Sequence, residues 1–179
     1  DLTDGTSGLT HEPIPGIDAT TQDWCVTPEQ IFEGKKKIGK KVVVLNADCY
    51  FMGPSLVQRL KEAGHDVTII NGVQMGRYME FTLELPNLHR WMHNNHVEII
   101  DGVWASRAEK GRIEVYDIYG DGWKRQYKGP GQIPRDENKT QRWVEFDTLV
   151  LVTGRSSDDE IYRGLKARKS EWAEKGIKG

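Results

Sequence analysis

KVVVLNADCYFMGPSLVQRLKEAGHDVTII, residues Lys41 to Ile70, carries the plan of the molecule. It opens on a continuous β-branched run, the pattern of a strand buried on both faces in a parallel sheet. Gly53-Pro54 then opens a helix, in which Leu56, Leu60 and Ala63 recur at i, i+4 and i+7 on one face. Gly64 supplies a left-handed C-cap before His65, and Asp66 to Ile70 read as a second strand. Strand, helix and strand in this order open a dinucleotide-binding unit, whose first turn should read G-x-G-x-x-G. Here that turn reads Asp48-Cys49-Tyr50-Phe51-Met52-Gly53.

Each fingerprint glycine has a task. The first makes the tight turn, the second lets backbone approach a pyrophosphate, and the third lets helix pack on strand. Counted back from the helix end, Gly53 takes the third position, and Asp48 and Tyr50 take the first two. Asp48 sets a negative charge where a diphosphate would lie, against the attraction of the helix N-terminus. Tyr50 sets a ring where bare backbone is needed. Asn46 and Ala47 lengthen the strand beyond the usual turn. Asn71 stands where an acid normally closes the second strand and binds ribose hydroxyls. Arg77 could hold a 2′-phosphate only with the glycines in place. The expectation is a nucleotide-binding-type fold with no cofactor-binding and no catalytic residues.

Working outward, residues Asp1 to Val26 show no strand or helix periodicity and include HEPIPG. They read as an extended connector that lies on something outside the chain, as if excised from a longer one. Thr27, Pro28 and Gln30 predict a capping box and a short helix to about Gly34. Gly76 to Asn95 carries helical spacing interrupted at Pro86, which predicts two pieces or a kink. HVEII is a third strand. Next, VWASRAEKG, RIEVYDIYG and GWKRQYKG alternate as antiparallel strands, with turns at Lys110-Gly111 and Gly120-Asp121-Gly122. RWVEFDTLVLVTG returns as one or two strands, and the charged tail is helical in part. The predicted fold is α/β and three-layered. A central parallel sheet carries an antiparallel meander on one side, as in the nucleotide-binding domains of flavin disulfide reductases. The expected divisions are a connector and short helix (1–39), a degenerate NAD(P)H-binding-like domain (40–155) and a C-terminal helical segment (156–179).

Composition excludes several classes. The 179 residues carry a formal net charge of −2, with a pI of about 6.2 and a mean hydropathy of −0.63. A nucleic-acid footprint would show as a basic surface, and Lys35-Lys36-Lys37 alone reads as a solvated helix end. No apolar run reaches membrane-spanning length, and the polar, acidic first residues are no signal peptide. Cys25 and Cys49 share no ligand or disulfide spacing and fit reduced thiols of a cytoplasmic protein. Asn138-Lys139-Thr140 matches a glycosylation sequon without a secretion signal to give it meaning. His89 and His93 are spaced i, i+4, and His96 follows, but neither an H-E-x-x-H acid nor a fourth ligand is evident. Asp158, Asp159 and Glu160 read as the acidic first turn of a helix. Tyr119 to Lys124 reads as a hairpin turn rather than a calcium loop. Trp91, Trp104, Trp123 and Trp143 read as packing residues.

Longer stretches carry a more specific likeness. TPEQIFEGKKKIGKKVVVLNADCYFMGPSL, GHDVTII, YGDGWKRQYKGPG, RWVEFDTLVLVTGR and LKARKSEWAE resemble the trimethylamine dehydrogenase and dimethylamine dehydrogenase family, leaning to the dimethylamine type. The likeness runs from HEPIPG to the final IKG. It implies a parent iron-sulfur flavoprotein with FMN on a barrel domain, a four-iron four-sulfur cluster and a bound ADP. Such a parent oxidises di- or trimethylamine to a smaller amine and formaldehyde, and it passes electrons to an electron-transferring flavoprotein. It implies a homodimer, in which this region is the domain that binds nothing. Cys25 and Cys49 match none of the family's ligand positions. Two other readings stand beside this one. The first is a working NAD(P)H domain of a related dienoyl-CoA-reductase-like enzyme. The second is a docking module for the electron-transferring flavoprotein.

Overall fold

The computed structural model describes residues 13–118, 142–154, 159–172 and 174–176. Two sheets organise them. Strands β1 (Cys25–Val26), β2 (Lys41–Asn46), β3 (Asp66–Asn71), β4 (Glu98–Asp101) and β8 (Thr148–Val152) form a parallel sheet in the order β1-β8-β2-β3-β4. Strands β5 (Val103–Glu109), β6 (Arg112–Asp117) and β7 (Arg142–Glu145) form an antiparallel sheet in chain order. Helices α1 (Pro28–Phe32), α2 (Met52–Glu62), α3 (Leu85–Asn94) and α4 (Glu160–Ala167) complete the described elements, with 3-10 turns at Arg77–Thr82 and Lys169–Glu171.

Alternate side chains of the parallel strands point to opposite faces, and each face has its own core. Val42, Val44, Ile69, Val150 and Val152 meet Leu56, Val57 and Leu60 of α2 and Leu85, Leu88 and Met92 of α3. Val43, Leu45, Ile70, Leu149 and Leu151 meet Trp104, Ala105, Ile113, Val115 and Tyr116 of the antiparallel sheet. The unbroken apolar run of β2 follows from this, because neither of its faces is wet. The result is three layers, helices over parallel sheet over antiparallel sheet, as the periodicity predicts.

The local signals are read out closely. Thr27 accepts from the Gln30 N–H while the Gln30 side chain accepts from the Thr27 N–H, a full capping box. Gly64 follows α2 at φ +89°, the left-handed position glycine takes most cheaply. Pro86 falls in the first turn of α3, where its missing N–H costs nothing, so it opens a helix rather than kinking one. Before it, Arg77–Thr82 forms a separate 3-10 turn.

Two readings change. Residues 13–26 do not wait for an outside surface. Ile14, Ile17, Ala19 and Cys25 are buried in the core on the antiparallel side, and the Ala108 N–H donates to the Pro15 carbonyl at 2.9 Å. Cys25–Val26 is itself an edge strand paired with β8, too short for any periodicity to reveal. The third strand of the antiparallel sheet is Arg142–Glu145. The strand expected at Gly122 to Gly129 and the turn at Gly120-Asp121-Gly122 lie outside the described residues, as do Trp123, Asn138, Thr140 and Asp158.

Candidate functional site

In an open parallel sheet a ligand crevice forms at the carboxyl ends of the strands, where the chain leaves to opposite sides. Here that point lies between β2 and β8, since β3 follows on one side of β2 and β8 returns on the other. A crevice of about 450 Å³ occupies it, lined by Ala47, Asp48, Met52, Val152, Thr153 and Gly154. The scaffold of a nucleotide site is therefore present, and its lining residues decide what it can hold.

Asp48 lines this crevice at the start of α2. Its Oδ2 accepts from the Met52 N–H at 2.7 Å, at the start of α2. Helix N-termini offer backbone donors and a positive dipole end to an anion, and this one has a carboxylate of its own. Pro54 removes a further donor from the same turn. Met52 also lines the crevice.

Behind Asp48 a polar ladder joins three strand ends. Asn46, Asn71 and Asp101 are register partners on β2, β3 and β4. Asn46 Nδ2 donates to Asn71 Oδ1 at 2.7 Å and to the Asp48 carbonyl at 2.8 Å. Asn46 Oδ1 accepts from the Asp48 N–H at 3.2 Å. Asn71 Nδ2 donates to Asp101 Oδ1 at 2.9 Å, which also accepts from the Met75 N–H at 3.2 Å. Asn46 and Asn71 are only 3% and 2% exposed, so Asn71 turns inward to its neighbours rather than outward to a ribose. Burial raises the Asp101 carboxyl above the usual range, opposed by the Met75 and Asn71 donors and by nearby His89.

The ladder also accounts for Gly53. A Cβ there would stand 2.2 Å from Asn46 Oδ1 and 2.5 Å from its Cγ. The third fingerprint glycine still serves close helix–strand packing, but its neighbour is a buried amide. Tyr50 behaves differently from its sequence reading. It does not line the crevice; its ring sits edge-on against Phe51, centroids 4.4 Å apart, and is partly exposed. Asp48 and Met52 line the crevice instead. Arg77 is exposed on the 3-10 turn, and the Tyr78 N–H donates to the Cys49 carbonyl at 3.0 Å, tying that turn to the β2–α2 loop.

The remaining candidates are scattered. His89 lies 3.5 Å from the Met75 carbonyl through Nε2, while His93 and His96 are exposed. Among the described residues no group of three or more His, Cys, Asp or Glu could hold a metal ion. Two cysteines in the whole sequence do not fit a four-thiolate iron-sulfur cluster. Cys25 is buried, its thiol pushed up to about 12 by desolvation. Cys49 is half-buried and raised by burial and then by Asp48. Trp104 belongs to the core, Trp91 packs against the helix-side core, and Trp143 lies under Arg112 and Arg107, 4.2 and 5.1 Å from its ring centre. Asp159 accepts from Arg163 one helical turn on. Among the described residues no helix is long and apolar enough to cross a membrane.

Of the positions singled out in the sequence, Asp48, Gly53 and Asn71 lie together at the carboxyl ends of β2 and β3, where Asn46 and Asp101 join them as hydrogen-bond partners that the sequence reading did not name. A signal was available: VVVLN, VTIIN and EIID each end an apolar run on an amide or acid at the strand's carboxyl end.

Fold and crevice together define an α/β domain of the dinucleotide-binding type. The chain belongs to the family described as OYE-like second alpha/beta domain, which it matches over residues 26–153. It is 49% identical over 175 residues to a dimethylamine dehydrogenase of Hyphomicrobium sp. (strain x), a match covering 98% of this chain and 24% of that protein. This accords with the resemblance to the trimethylamine and dimethylamine dehydrogenases. Among solved structures, the histamine dehydrogenase from Rhizobium sp. 4-9 superposes with a TM-score of 0.75 at 22% identity, over 99% of this chain and 25% of that one. The 6-hydroxypseudooxynicotine amine oxidase from Pseudomonas geniculata N1 superposes at 0.71 with 26% identity, over 94% of this chain and 22% of that one. The chain thus spans about a quarter of the length of the relatives it matches.

Proposed function

We propose that this chain is the NAD(P)H-domain-like part of a larger flavoprotein amine dehydrogenase, and that its own role is scaffolding with the nucleotide site lost. The observation that carries the second half is the Asp48 carboxylate on the Met52 N–H, inside the crevice a diphosphate would need. An anion entering there would meet a fixed negative charge, with one helix donor already engaged and another removed by Pro54. The buried Asn46–Asn71–Asp101 ladder ties the strand ends together without a ligand.

The first half rests on kinship to the dimethylamine dehydrogenase. On that reading the parent oxidises di- or trimethylamine to a smaller amine and formaldehyde. It uses FMN and a four-iron four-sulfur cluster, carries ADP, works as a cytoplasmic homodimer and delivers electrons to an electron-transferring flavoprotein. None of those groups is held by this region. Residues 1–39 and 156–179 lead to and from the neighbouring ADP-binding domain, and 40–155 form the scaffold domain, onto which Ile14, Ile17, Ala19 and the Cys25–Val26 strand of the first flank also pack.

Isothermal titration of the chain with NADH, NADPH and ADP, each to millimolar levels, tests the scaffold reading. The expected result is no saturable heat for any of them. Saturable binding of NADH or NADPH would overturn it and favour a working reductase domain.

A further inference from the structure

The Asp48 carboxylate is fixed in place before any ligand enters the crevice. The Asn46 side chain, 3% exposed, holds the Asp48 backbone from both sides. It donates to the Asp48 carbonyl at 2.8 Å and accepts from the Asp48 N–H at 3.2 Å. Asp48 Oδ2 accepts from the Met52 N–H. Among the described residues no other hydrogen bond and no ion pair engages this carboxylate.

Nothing nearby neutralises it. The start of α2 contributes about half an elementary charge, against a full charge on Asp48. Arg77 is near enough to act electrostatically on Cys49, but among the described residues it forms no ion pair with Asp48. None of the six residues lining the crevice is basic.

The rest of the lining narrows the choice of ligand. Ala47, Met52 and Val152 give the crevice apolar walls, and its volume of about 450 Å³ suits a small molecule. An anion would meet the Asp48 charge. A hard metal ion needs several oxygen ligands, and among the described residues no group could hold one. A neutral apolar molecule would cover the carboxylate without pairing it, which is costly. A cation with a short alkyl part satisfies both the acid and the walls.

We infer that the crevice binds small alkylammonium ions, with Asp48 as counter-ion and Ala47, Met52 and Val152 against the alkyl group. The inference rests on the lost-nucleotide reading, because a diphosphate and an ammonium ion need opposite charge in one crevice.

Butylammonium chloride is the probe, titrated into the isotope-labelled chain and followed by the NMR amide shifts of Ala47, Met52 and Gly154. Saturable shifts in the millimolar range are expected, weakening as salt is raised. Each methylene added between methylammonium and butylammonium should tighten binding by up to about fourfold. Asp48→Asn keeps the side chain's size and an oxygen for the Met52 N–H, and it should weaken binding by about tenfold or more. Butanol and butyrate should give no saturable shift. Absence of saturable shifts with butylammonium overturns the inference. So does equal binding by Asp48→Asn, or butanol binding as tightly as butylammonium. Should Asp48→Asn fail to fold, the butanol and salt comparisons on the unaltered chain decide the question alone. NADH, titrated in the same way, separates the two readings. If neither NADH nor butylammonium binds, the cation site falls and the lost-nucleotide reading stands. Saturable NADH binding sinks both.

Discussion

Gly53→Ala sets two effects of opposite sign against each other. Gly53 lies in α2, and alanine is favoured over glycine inside a helix by about 1 kcal/mol. Helix propensity alone therefore predicts a stabilised protein. The structure predicts the reverse. The new Cβ would stand 2.2, 2.5 and 2.8 Å from Oδ1, Cγ and Nδ2 of Asn46, well inside van der Waals contact. Asn46 is buried and bonded to Asn71 and to both backbone groups of Asp48, so it cannot move aside without breaking those bonds. Overpacking costs about 1–3 kcal/mol, and each buried polar group left unpaired costs about 1–3 kcal/mol more. Against the helix gain of about 1 kcal/mol, the net loss should be about 1–5 kcal/mol. Urea unfolding followed by tryptophan fluorescence measures it, with an unchanged slope confirming a native-state effect. Asn46→Ala should also destabilise, by leaving the Asn71 and Asp48 acceptors without a donor. In the double variant the clash is gone, so the second substitution should cost far less than either alone. A Gly53→Ala protein as stable as the parent or more so would refute the packing argument. Strictly additive losses would refute the coupling.

Other consequences can be measured on the same chain. Leu83→Gly should raise stability by about 1 kcal/mol, since it removes a left-handed leucine whose side chain is almost wholly exposed; a thermal melt reads this directly. Ser106 and then Arg107 hold the Glu114 carboxyl below its usual range. A depressed carboxylate stabilises the fold above its unfolded pKa and loses that contribution as pH falls through the folded value. Glu114→Gln should therefore weaken the protein at neutral pH, with the difference closing in acid. Asp101 has the opposite sign, because burial raises it. Its contribution is greatest in acid and is lost as pH rises through the folded pKa, so Asp101→Asn should flatten that part of the stability curve. With a thiol reagent, Cys49 should react slowly in the native chain and Cys25 only after unfolding.

Much of this was legible from local pattern. Thr27 and Gln30 announced a capping box, Gly64 a helix end, and the apolar run at Val42 to Leu45 a strand with two dry faces. These features depend on neighbours within a turn or two, where residue chemistry and backbone geometry are tightly coupled. The loss of the glycine fingerprint was equally plain, because only glycine meets its steric demands. What needed the third dimension was every relation between strand ends. Asn46, Asn71 and Asp101 are 25 and 30 residues apart along the chain, and parallel pairing alone makes them neighbours.

Tertiary structure also divided the work among residues that sequence had grouped. Asp48 and Tyr50 looked like equal obstacles to a phosphate, yet the loop turns Asp48 onto the helix end and Tyr50 out beside Phe51. Residues 13–26 looked unsupported, yet the antiparallel sheet gives them a surface. The sequence by itself determined the α/β plan, the three layers and the missing turn, since periodicity and glycine chemistry are properties of short segments. Only the folded chain decided which side chain meets the start of α2 in the crevice. That choice depends on which groups the sheet order brings within hydrogen-bonding distance, and no short segment contains it.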